Sequence, residues 1–351
     1  MKAWESNIRK VEPYVPGEQP KVQDVIKLNT NENPYGPSEN VRKAMEAIDI
    51  DRCRLYPDPD VTSLLRALQI IMEWIIIRYL SVWAQMMCYQ CVSLHFFNGK
   101  KPVLFPDITY SFYSVWADLY RIPYEKQKLD DNMKIVPEDY YKENGGVIFP
   151  NPNAPTGLLM DLNSVRDIIE HNKDVVVIVD EAYIDFGGVS AKDLVNEYDN
   201  VLVVQTFSKS RSMAGMRIGY AFGSKELIKA LNDVKFSFNS YTMNMTSIDM
   251  GVASINDKKY FEECVERITA TRERTKEELT KLGFTFPDSK ANFIFATHKS
   301  VPAKEIFEKL KDLNIFVRYF AQPGIDNYLR ITIGTDEQMD KLISALSEIV
   351  G

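Results

Sequence analysis

The chain has 351 residues and a formal net charge of −7, which disfavours a nucleic-acid partner because binding to a phosphate backbone requires a basic surface. Four cysteines in a chain of this length do not suggest a disulfide framework, and the three histidines are not clustered as a histidine-rich metal site requires. The first residues lack the basic and then apolar pattern of a signal peptide, which predicts a cytoplasmic protein with no membrane partner.

Prolines mark off the start of the chain. Residues 1–30 are predicted to form an N-terminal arm, because Pro13, Pro16 and Pro20 interrupt any regular element there. Further along, short apolar runs alternate with helical patterns, and the strand candidates are 101–106, 146–150, 174–180 and 200–206. Unbroken β-branched runs of this kind are typical of strands buried on both faces of a mostly parallel sheet covered by helices, which is the α/β class.

A change of pattern after Ser240 predicts a second, smaller domain of the α+β type. Long charged helices are predicted at about 240–282 and 302–313, and strands are predicted at 291–295 and 329–333. We therefore expect three parts, which are the arm (1–30), a large domain (31–245) and a small C-terminal domain (246–351).

Two of the predicted strands end in polar residues that can carry chemistry. Asp180 ends one strand and Lys209 follows the next, and functional groups of open α/β sheets collect at the carboxyl ends of strands. Taken alone, a strand-terminal Asp is more often a helix N-cap and a lone Lys is usually solvated. Here Arg217 follows, with Gly215 and Gly219 beside it. An amine, a carboxylate and phosphate-binding groups together are what a pyridoxal phosphate site requires.

A series of short motifs runs through almost the whole chain. In order, they are Asn29-Thr30-Asn31-Glu32-Asn33-Pro34, Leu55-Tyr56-Pro57-Asp58, Pro106-Asp107-Ile108-Thr109-Tyr110, Asn151-Pro152-Asn153-Ala154-Pro155-Thr156-Gly157, Thr206-Phe207-Ser208-Lys209 and Ala214-Gly215-Met216-Arg217-Ile218-Gly219-Tyr220. In number, order and spacing, these motifs resemble those of the fold type I aminotransferases and, within them, of the histidinol-phosphate aminotransferase family.

The resemblance implies the fold type I architecture, with pyridoxal 5′-phosphate as the cofactor and Lys209, Asp180 and Tyr183 as the catalytic residues. Lys209 would hold the cofactor as a Schiff base and then move a proton between the substrate's α-carbon and the cofactor. Asp180 would pair with the pyridine nitrogen and keep it protonated. Tyr183 would hydrogen-bond the 3′ oxygen of the ring.

The same resemblance implies further cofactor contacts, from Asn153, Tyr110, Thr206, Ser208, Arg217 and Tyr56. Asn153 would share the 3′ oxygen with Tyr183, although many relatives carry Asn where this chain has Ala154. Tyr110 would stack on the pyridine ring. Arg217 would bind the cofactor phosphate together with the hydroxyl groups of Thr206 and Ser208. Tyr56 would reach the cofactor phosphate of the other subunit, which implies a homodimer.

Substrate binding is expected from Tyr14, Asn33, Arg318 and Arg330. For the two arginines, the alternative is an ordinary surface salt bridge. A guanidinium group binds phosphates and carboxylates alike, so the same arginines can serve histidinol phosphate in one half-reaction and glutamate or 2-oxoglutarate in the other. The implied reaction is the transamination of histidinol phosphate in histidine biosynthesis. Three other functions stay open, namely an aromatic amino-acid aminotransferase, a phosphothreonine decarboxylase and a non-catalytic relative that cannot hold cofactor.

Residues 69–97 depart from the family pattern. Relatives carry there a helix end, a strand and a Gly-x-Gly-Ser-Asp-Glu turn whose backbone N–H groups bind the cofactor phosphate, whereas this chain has no glycine in 62–97. One interpretation is a membrane span, but Glu73 and Arg78 interrupt the apolar run. Another is a metal or redox site at Cys88-Tyr89-Gln90-Cys91, but it lacks a second cysteine pair.

The interpretation that we favour for this segment is a compensated reading-frame shift. Met and Trp each have a single codon, and both codons end in G, so reading the third base of one codon with the first two of the next leaves little choice. Trp83–Ala84 then encodes Gly, Met86–Met87 encodes Asp and Met87–Cys88 encodes Val. With the permitted choices between them, 83–88 becomes Gly-Ser-Asp-Asp-Val, which resembles the missing turn. If the protein contains 69–97 as written, its phosphate-binding turn is altered.

Overall fold

The β-branched runs of the sequence form the centre of one sheet. The computed structural model describes residues 2–14, 17–21, 24–72, 79–83, 92–93 and 95–351. Its first strand, β1 (Ile26–Lys27), lies apart, and the large sheet comprises β2 (Tyr79–Trp83), β3 (Val103–Pro106), β4 (Tyr124–Gln127), β5 (Gly146–Pro150), β6 (Val177–Asp180), β7 (Val201–Thr206) and β8 (Ile218–Phe222). Their order across this sheet is β2-β8-β7-β6-β5-β3-β4.

The central strands are parallel and buried on both faces, as the sequence predicts. Parallel pairing joins β4 to β3, β3 to β5, β5 to β6 and β6 to β7, whereas β8 is antiparallel to both β7 and β2. Along β6, Val177 and Val179 pack into one apolar core while Ile178 packs into another on the opposite face. This alternation is the two-residue period of a strand, and it explains why every residue of the run is apolar.

Helices cover the two faces of this sheet and continue into the C-terminal part. They are α1 (Glu39–Glu46), α2 (Thr62–Met72), α3 (Phe112–Tyr120), α4 (Leu162–Glu170), α5 (Lys225–Phe238), α6 (Met245–Asn256), α7 (Lys258–Lys281), α8 (Ala303–Asp312) and α9 (Asp336–Val350). The sequence predicted one long helix at about 240–282, but the chain breaks it at Asp257. Asp257 leaves helical geometry and accepts a hydrogen bond from Tyr260 N, which makes it the N-cap of α7.

A second, antiparallel sheet lies in the C-terminal part. It comprises β9 (Phe284–Thr285), β10 (Phe293–His298), β12 (Arg318–Tyr319) and β13 (Leu329–Thr332), in the order β12-β13-β10-β9. The intervening β11 (Ile315–Phe316) pairs in parallel with β1, so the end of the N-terminal arm is hydrogen-bonded to the C-terminal part. The arm also contains a 3-10 helix, Ala3–Asn7.

Much of the unusual segment lies outside the part of the chain that the structure describes, including 73–78, 84–91 and residue 94. Cys88, Cys91 and most of the codons that the reading-frame hypothesis uses fall there, so both of those interpretations remain predictions. Among the helices of the described ranges, none has the length and apolar character to cross a membrane. The same ranges contain no cluster of three or more His, Cys, Asp or Glu side chains arranged to hold a metal ion.

Candidate active site

Three neighbouring parallel strands deliver polar groups to one edge of the large sheet. β6 ends at Asp180, β7 ends at Thr206 and leads to Lys209, and β5 is followed by the turn 151–157. Parallel strands have their carboxyl ends at the same edge, and this is where open α/β sheets place their ligands. The predicted carboxylate and amine are therefore brought to the same edge of the sheet.

A cavity of about 190 Å³ opens at this edge. The turn 151–157 and the C-terminal sheet both contribute to its walls, so the cavity lies between the large sheet and the C-terminal part. Its lining residues are Tyr14, Gly17, Asn29, Thr30, Asn31, Thr109, Tyr110, Ser111, Ala154, Pro155, Tyr183, Lys209, Arg318, Phe320 and Arg330. Six residues that the sequence analysis predicted for the site therefore line this one cavity, namely Tyr14, Tyr110, Tyr183, Lys209, Arg318 and Arg330.

The amine of Lys209 lies in this cavity. Lys209 Nζ donates a hydrogen bond to the carbonyl oxygen of Thr30 at 3.1 Å and lies 5.7 Å from the ring centre of Tyr183. Burial lowers the pKa of Lys209 to about 7, and the positive charges of Arg330 and Arg217 act in the same direction. A large fraction of this amine is therefore neutral near neutral pH, as a nucleophile or a general base requires.

Asp180 is almost completely buried, with 4% of its surface exposed. Its Oδ2 accepts a hydrogen bond from the hydroxyl of Tyr113 at 2.6 Å, and its Oδ1 accepts one from Ala182 N at 3.1 Å. The negative charge of Asp180 contributes to the raised pKa values of Tyr110 and Tyr183, although burial is the larger cause for both. Asp180 therefore acts electrostatically on two phenols that line the cavity. The sequence did not single out Tyr113.

Tyr183 is held by a residue that the sequence analysis did not assign to the site. Asn31 Nδ2 donates a hydrogen bond to the Tyr183 hydroxyl at 2.9 Å. The Tyr183 ring packs edge-on against Phe293, with ring centres 5.1 Å apart. Asn31 lies in the quoted motif 29–34, but its type and position alone do not tell which partner its amide binds.

The turn 151–157 places Ala154 and Pro155, rather than Asn153, against the cavity. Asn153 Nδ2 donates to the carbonyl oxygen of Ile108 at 3.0 Å and to Thr156 Oγ1 at 3.3 Å, so both amide protons are used within the protein. Its Oδ1 accepts from the hydroxyl of Thr109 at 3.1 Å. In this structure, Asn153 shapes the turn, and its contact with a cofactor remains a prediction.

The predicted phosphate-binding groups lie where the chain leaves β7. The Thr206 hydroxyl is 3.0 Å from Ser208 Oγ and accepts from Ser208 N at 3.2 Å. Arg217 has a left-handed backbone, with φ of 57°, and donates from Nη1 to the carbonyl oxygen of Ala214 at 2.8 Å. The positive charge of Arg217 contributes to the lowered pKa of Lys209, and Thr206, Ser208 and Arg217 are not among the residues that line the cavity.

Two guanidinium groups, of Arg318 and Arg330, line the same cavity. Arg330 Nη2 donates to the carbonyl oxygen of Asn29 at 3.1 Å, while its Nε is buried and has no hydrogen-bond partner among the described residues. The guanidinium carbons of Arg318 and Arg330 lie 5.6 Å and 5.7 Å from the ring centre of Phe320. Neither arginine has an acidic partner in the part of the chain that is described, so both guanidinium groups are available to bind an anion.

The other residues that were predicted to bind cofactor or substrate lie partly inside and partly outside the cavity. Tyr14 lines the cavity and stacks on Phe112, with ring centres 4.1 Å apart. Asn33 does not line it, and its Nδ2 instead donates to the carbonyl oxygens of Lys209 and Ser210 at 3.1 Å and 3.2 Å. Tyr56 is 80% exposed and stacks on Tyr241, outside the cavity of its own chain.

These groups fit pyridoxal phosphate. An amine that is neutral near neutral pH suits an aldehyde, a buried carboxylate suits a pyridine nitrogen, and a cation with hydroxyl groups suits a phosphate. The unpartnered Arg330 Nε and the unpartnered Asn29 Oδ1 are buried polar atoms for which the described residues supply no hydrogen bond. Such atoms indicate that the cavity is built to receive a polar ligand.

Comparison with known proteins also identifies the chain as a member of an aminotransferase family. The family model of aminotransferase class I and II matches residues 23–346. The chain is 49% identical to the histidinol-phosphate aminotransferase of Clostridium beijerinckii over 354 residues, which cover 99% of this chain and 98% of that protein. It is 46% identical to the histidinol-phosphate aminotransferase of Lactococcus lactis subsp. cremoris over 349 residues, which cover 99% and 97% of the two chains.

The fold is likewise shared with solved structures. The structure of histidinol-phosphate aminotransferase from Sinorhizobium meliloti in complex with pyridoxal-5′-phosphate matches with a TM-score of 0.85 at 22% identity, covering 93% of this chain and 90% of that one. This likeness confirms the predicted α/β fold type I architecture with its smaller antiparallel domain. The chain belongs to aminotransferase class I and II and, within it, to the histidinol-phosphate aminotransferase family.

Proposed function

We propose that the protein is a pyridoxal-phosphate-dependent aminotransferase of histidine biosynthesis. It interconverts L-histidinol phosphate and 2-oxoglutarate with imidazole-acetol phosphate and L-glutamate. The observation that carries the proposal is a single cavity that holds the amine of Lys209 together with the guanidinium groups of Arg318 and Arg330. An amine prepared for a carbonyl compound and two guanidinium groups in the same cavity match a phosphorylated amino substrate.

Lys209 performs the proton transfer. Pyridoxal phosphate, when bound, withdraws electrons from the carbon that bears the substrate's amino group. Lys209 Nζ can take the proton from that carbon and return it, because a pKa of about 7 keeps both of its forms populated. Asp180, which is buried and accepts two hydrogen bonds, would supply the negative charge that keeps a proton on the pyridine nitrogen of the bound cofactor.

The two arginines serve both half-reactions. In one, a guanidinium group binds the phosphate of histidinol phosphate, and in the other it binds a carboxylate of glutamate. Phe320 lies against both guanidinium groups and limits where they can move. Because the amino group would stay on the cofactor between the two half-reactions, we expect ping-pong kinetics.

The rival enzymatic functions differ in what fills the arginine side of the cavity. An aromatic amino-acid aminotransferase would bind only carboxylates at Arg318 and Arg330, whereas a histidinol-phosphate aminotransferase would bind a phosphate there as well. The values of kcat/KM for histidinol phosphate and for phenylalanine separate these two functions. A higher kcat/KM for phenylalanine would refute the proposed histidinol-phosphate aminotransferase function. A phosphothreonine decarboxylase would release carbon dioxide.

We further propose that the enzyme is a homodimer. Tyr56 lies outside its own cavity, and it stands in a patch of exposed apolar side chains formed by Leu55, Tyr56, Phe238 and Tyr241. Exposed aromatic patches of this kind mark protein interfaces. A partner that covers the patch would receive Tyr56 at its own site. The cytoplasmic location expected from the sequence remains a prediction.

Mass spectrometry of borohydride-reduced protein tests the function and the composition of the chain together. We expect a pyridoxyl adduct on the Lys209 peptide and none in Lys209→Ala, whose kcat/KM should fall by a factor on the order of 10⁴. An adduct on a different lysine would contradict the assignment. The same spectrum gives the mass of the peptide over 69–97, and protein that has this segment as written but takes up no cofactor would support the non-catalytic alternative.

A further inference from the structure

Asn31 joins the large sheet to the C-terminal sheet at the cavity. It is 1% exposed, and each of its polar groups is bound. Its amide donates to the Tyr183 hydroxyl at 2.9 Å, next to the carboxyl end of β6. Its remaining contacts are with the C-terminal part, since its backbone N donates to Thr332 Oγ1 at 3.0 Å and its carbonyl oxygen accepts from Asn292 Nδ2 at 3.1 Å.

The hydrogen bonds of Thr332 determine which way the Asn31 amide faces. The Thr332 hydroxyl accepts from Asn31 N and donates its own proton to Asn31 Oδ1 at 3.0 Å. The oxygen of the amide is therefore turned to Thr332, and its N–H is turned to Tyr183. The reverse orientation would leave the Thr332 proton without this acceptor, in a place where both residues are buried.

This arrangement also determines what Tyr183 can do. A phenol has one proton to donate, and Asn31 N–H occupies an acceptor position on its oxygen. The Tyr183 proton cannot be given to the Asn31 nitrogen, which is itself a donor, so it is available to an acceptor in the cavity. The other ionisable groups that act on or lie near Tyr183 do not set this direction, because none has a hydrogen bond to its hydroxyl in the described structure. They are Arg330, Asp180, Tyr14 and Lys209.

We propose that Asn31 is a positioning residue that directs the hydroxyl proton of Tyr183 into the cavity, toward the phenolic oxygen of the cofactor. The inference rests on the proposed function, since it concerns how the chain meets pyridoxal phosphate. Because Asn31 is itself held by Thr332 and Asn292, the direction of the Tyr183 donor depends on the C-terminal sheet staying in place against the large sheet.

The backbone of Asn31 dictates which substitution is informative. Its φ is 56°, in the left-handed region that Asn and Gly adopt with least strain. Asn31→Gly removes the side-chain amide and keeps this backbone conformation. The neighbouring Thr30 carbonyl, which accepts a hydrogen bond from Lys209, should therefore stay in place. Thr332→Val removes the hydroxyl that orients the amide without touching Tyr183, and Thr332→Ser keeps that hydroxyl.

The test is a pH titration of the visible absorption of protein loaded with pyridoxal phosphate. A hydrogen-bond donor at the phenolic oxygen of the cofactor stabilises the cofactor's deprotonated form. Loss of this donor therefore raises the pH at the midpoint of the titration. We expect the midpoint to rise by about one pH unit in Asn31→Gly, because a hydrogen bond to a charged group has about that effect. A smaller rise is expected in Thr332→Val, and Thr332→Ser should restore the wild-type midpoint.

Two controls separate this role from a general loss of stability. Asn200→Ala removes two hydrogen bonds of a buried Asn that lies outside the cavity lining, and it should leave the midpoint unchanged. In a Tyr183→Phe background, Asn31→Gly should add no further shift. A wild-type midpoint in Asn31→Gly, or an equal shift with and without Tyr183, would overturn the proposal. A wild-type protein with no cofactor absorption at all would instead overturn the proposed function and this inference with it.

Discussion

At the scale of single residues, polar side chains of the site are held by hydrogen bonds to other groups of the protein. Tyr113 holds Asp180, Asn31 holds Tyr183, and the Thr30 carbonyl holds Lys209. Each pair fixes the direction of one group before any ligand arrives. Such preorganisation is what makes a charged or polar group effective in a dry site, because no reorganisation is needed when the substrate binds.

Tyr113→Phe should weaken the binding of pyridoxal phosphate at least about tenfold, because a hydrogen bond to a charged group contributes about 1.5–3 kcal/mol. The substitution removes the hydroxyl 2.6 Å from Asp180 Oδ2 and leaves the ring in its apolar surroundings. Titration of the cofactor-free protein, followed by fluorescence, measures the affinity.

The matched control for that experiment is Tyr140→Phe. Tyr140 is 1% exposed, and its hydroxyl has no hydrogen-bond partner within the described chain, so its removal should change neither affinity nor stability for the worse. If Tyr113→Phe and Tyr140→Phe bind the cofactor equally well, Tyr113 is an ordinary core residue.

At the scale of elements, the turn 151–157 connects the two parts of the molecule. The Gly157 carbonyl oxygen accepts a hydrogen bond from Lys290 N at 2.8 Å, in the segment that leads to β10. Gly157 has a φ of 77°, and a Cβ placed there would lie 2.3 Å from Ser289 Oγ. Ser289 is completely buried and donates to the carbonyl oxygen of Phe293 at 2.6 Å, so it has little room to move.

Gly157→Ala should therefore lower the free energy of unfolding by about 2–4 kcal/mol, from the left-handed backbone and the contact with Ser289 together. Denaturant unfolding followed by circular dichroism measures this. Gly36→Ala is the control, because a Cβ there meets nothing within 4 Å, and its effect should stay within about 0.5 kcal/mol. Equal stability of the two variants would show that the turn yields to the added methyl group.

Element prediction succeeded for several buried strands with apolar sequences, but it missed others, including the buried strand β8 and a strand at the edge of the large sheet. β5, β6 and β7 are continuous apolar runs, so their pattern is visible in the sequence. β4 at the sheet edge reads Tyr-Glu-Lys-Gln, is partly exposed, and was not predicted. An edge strand faces solvent and commonly carries charged side chains, so its composition resembles that of a loop.

At the scale of the whole molecule, the exposed patch of Leu55, Tyr56, Phe238 and Tyr241 bears on assembly. Phe238→Glu should shift the protein from dimer to monomer, because it places a charge in an apolar contact. Light scattering after size-exclusion chromatography measures the mass. Leu313→Glu, at an exposed apolar position in the C-terminal part, should remain dimeric. A monomeric wild-type protein, or a dimeric Phe238→Glu, would contradict the proposed interface.

The sequence by itself determined the α/β class and the family, because buried strands and short motifs leave a local pattern, and its resemblance to that family led to the prediction of Lys209, Asp180, Arg318 and Arg330 as site residues. Tertiary structure alone decided the contacts between these groups and the rest of the chain. Asn31 meets Thr332 across 301 positions of sequence, and Tyr113 meets Asp180 across 67. No local pattern encodes such a pairing, since it arises only when two sheets and a helix pack around one cavity. Asn153 shows the same limit, because its place in the motif predicted a contact with the cofactor, whereas its amide protons are bound to Ile108 and Thr156 of the protein.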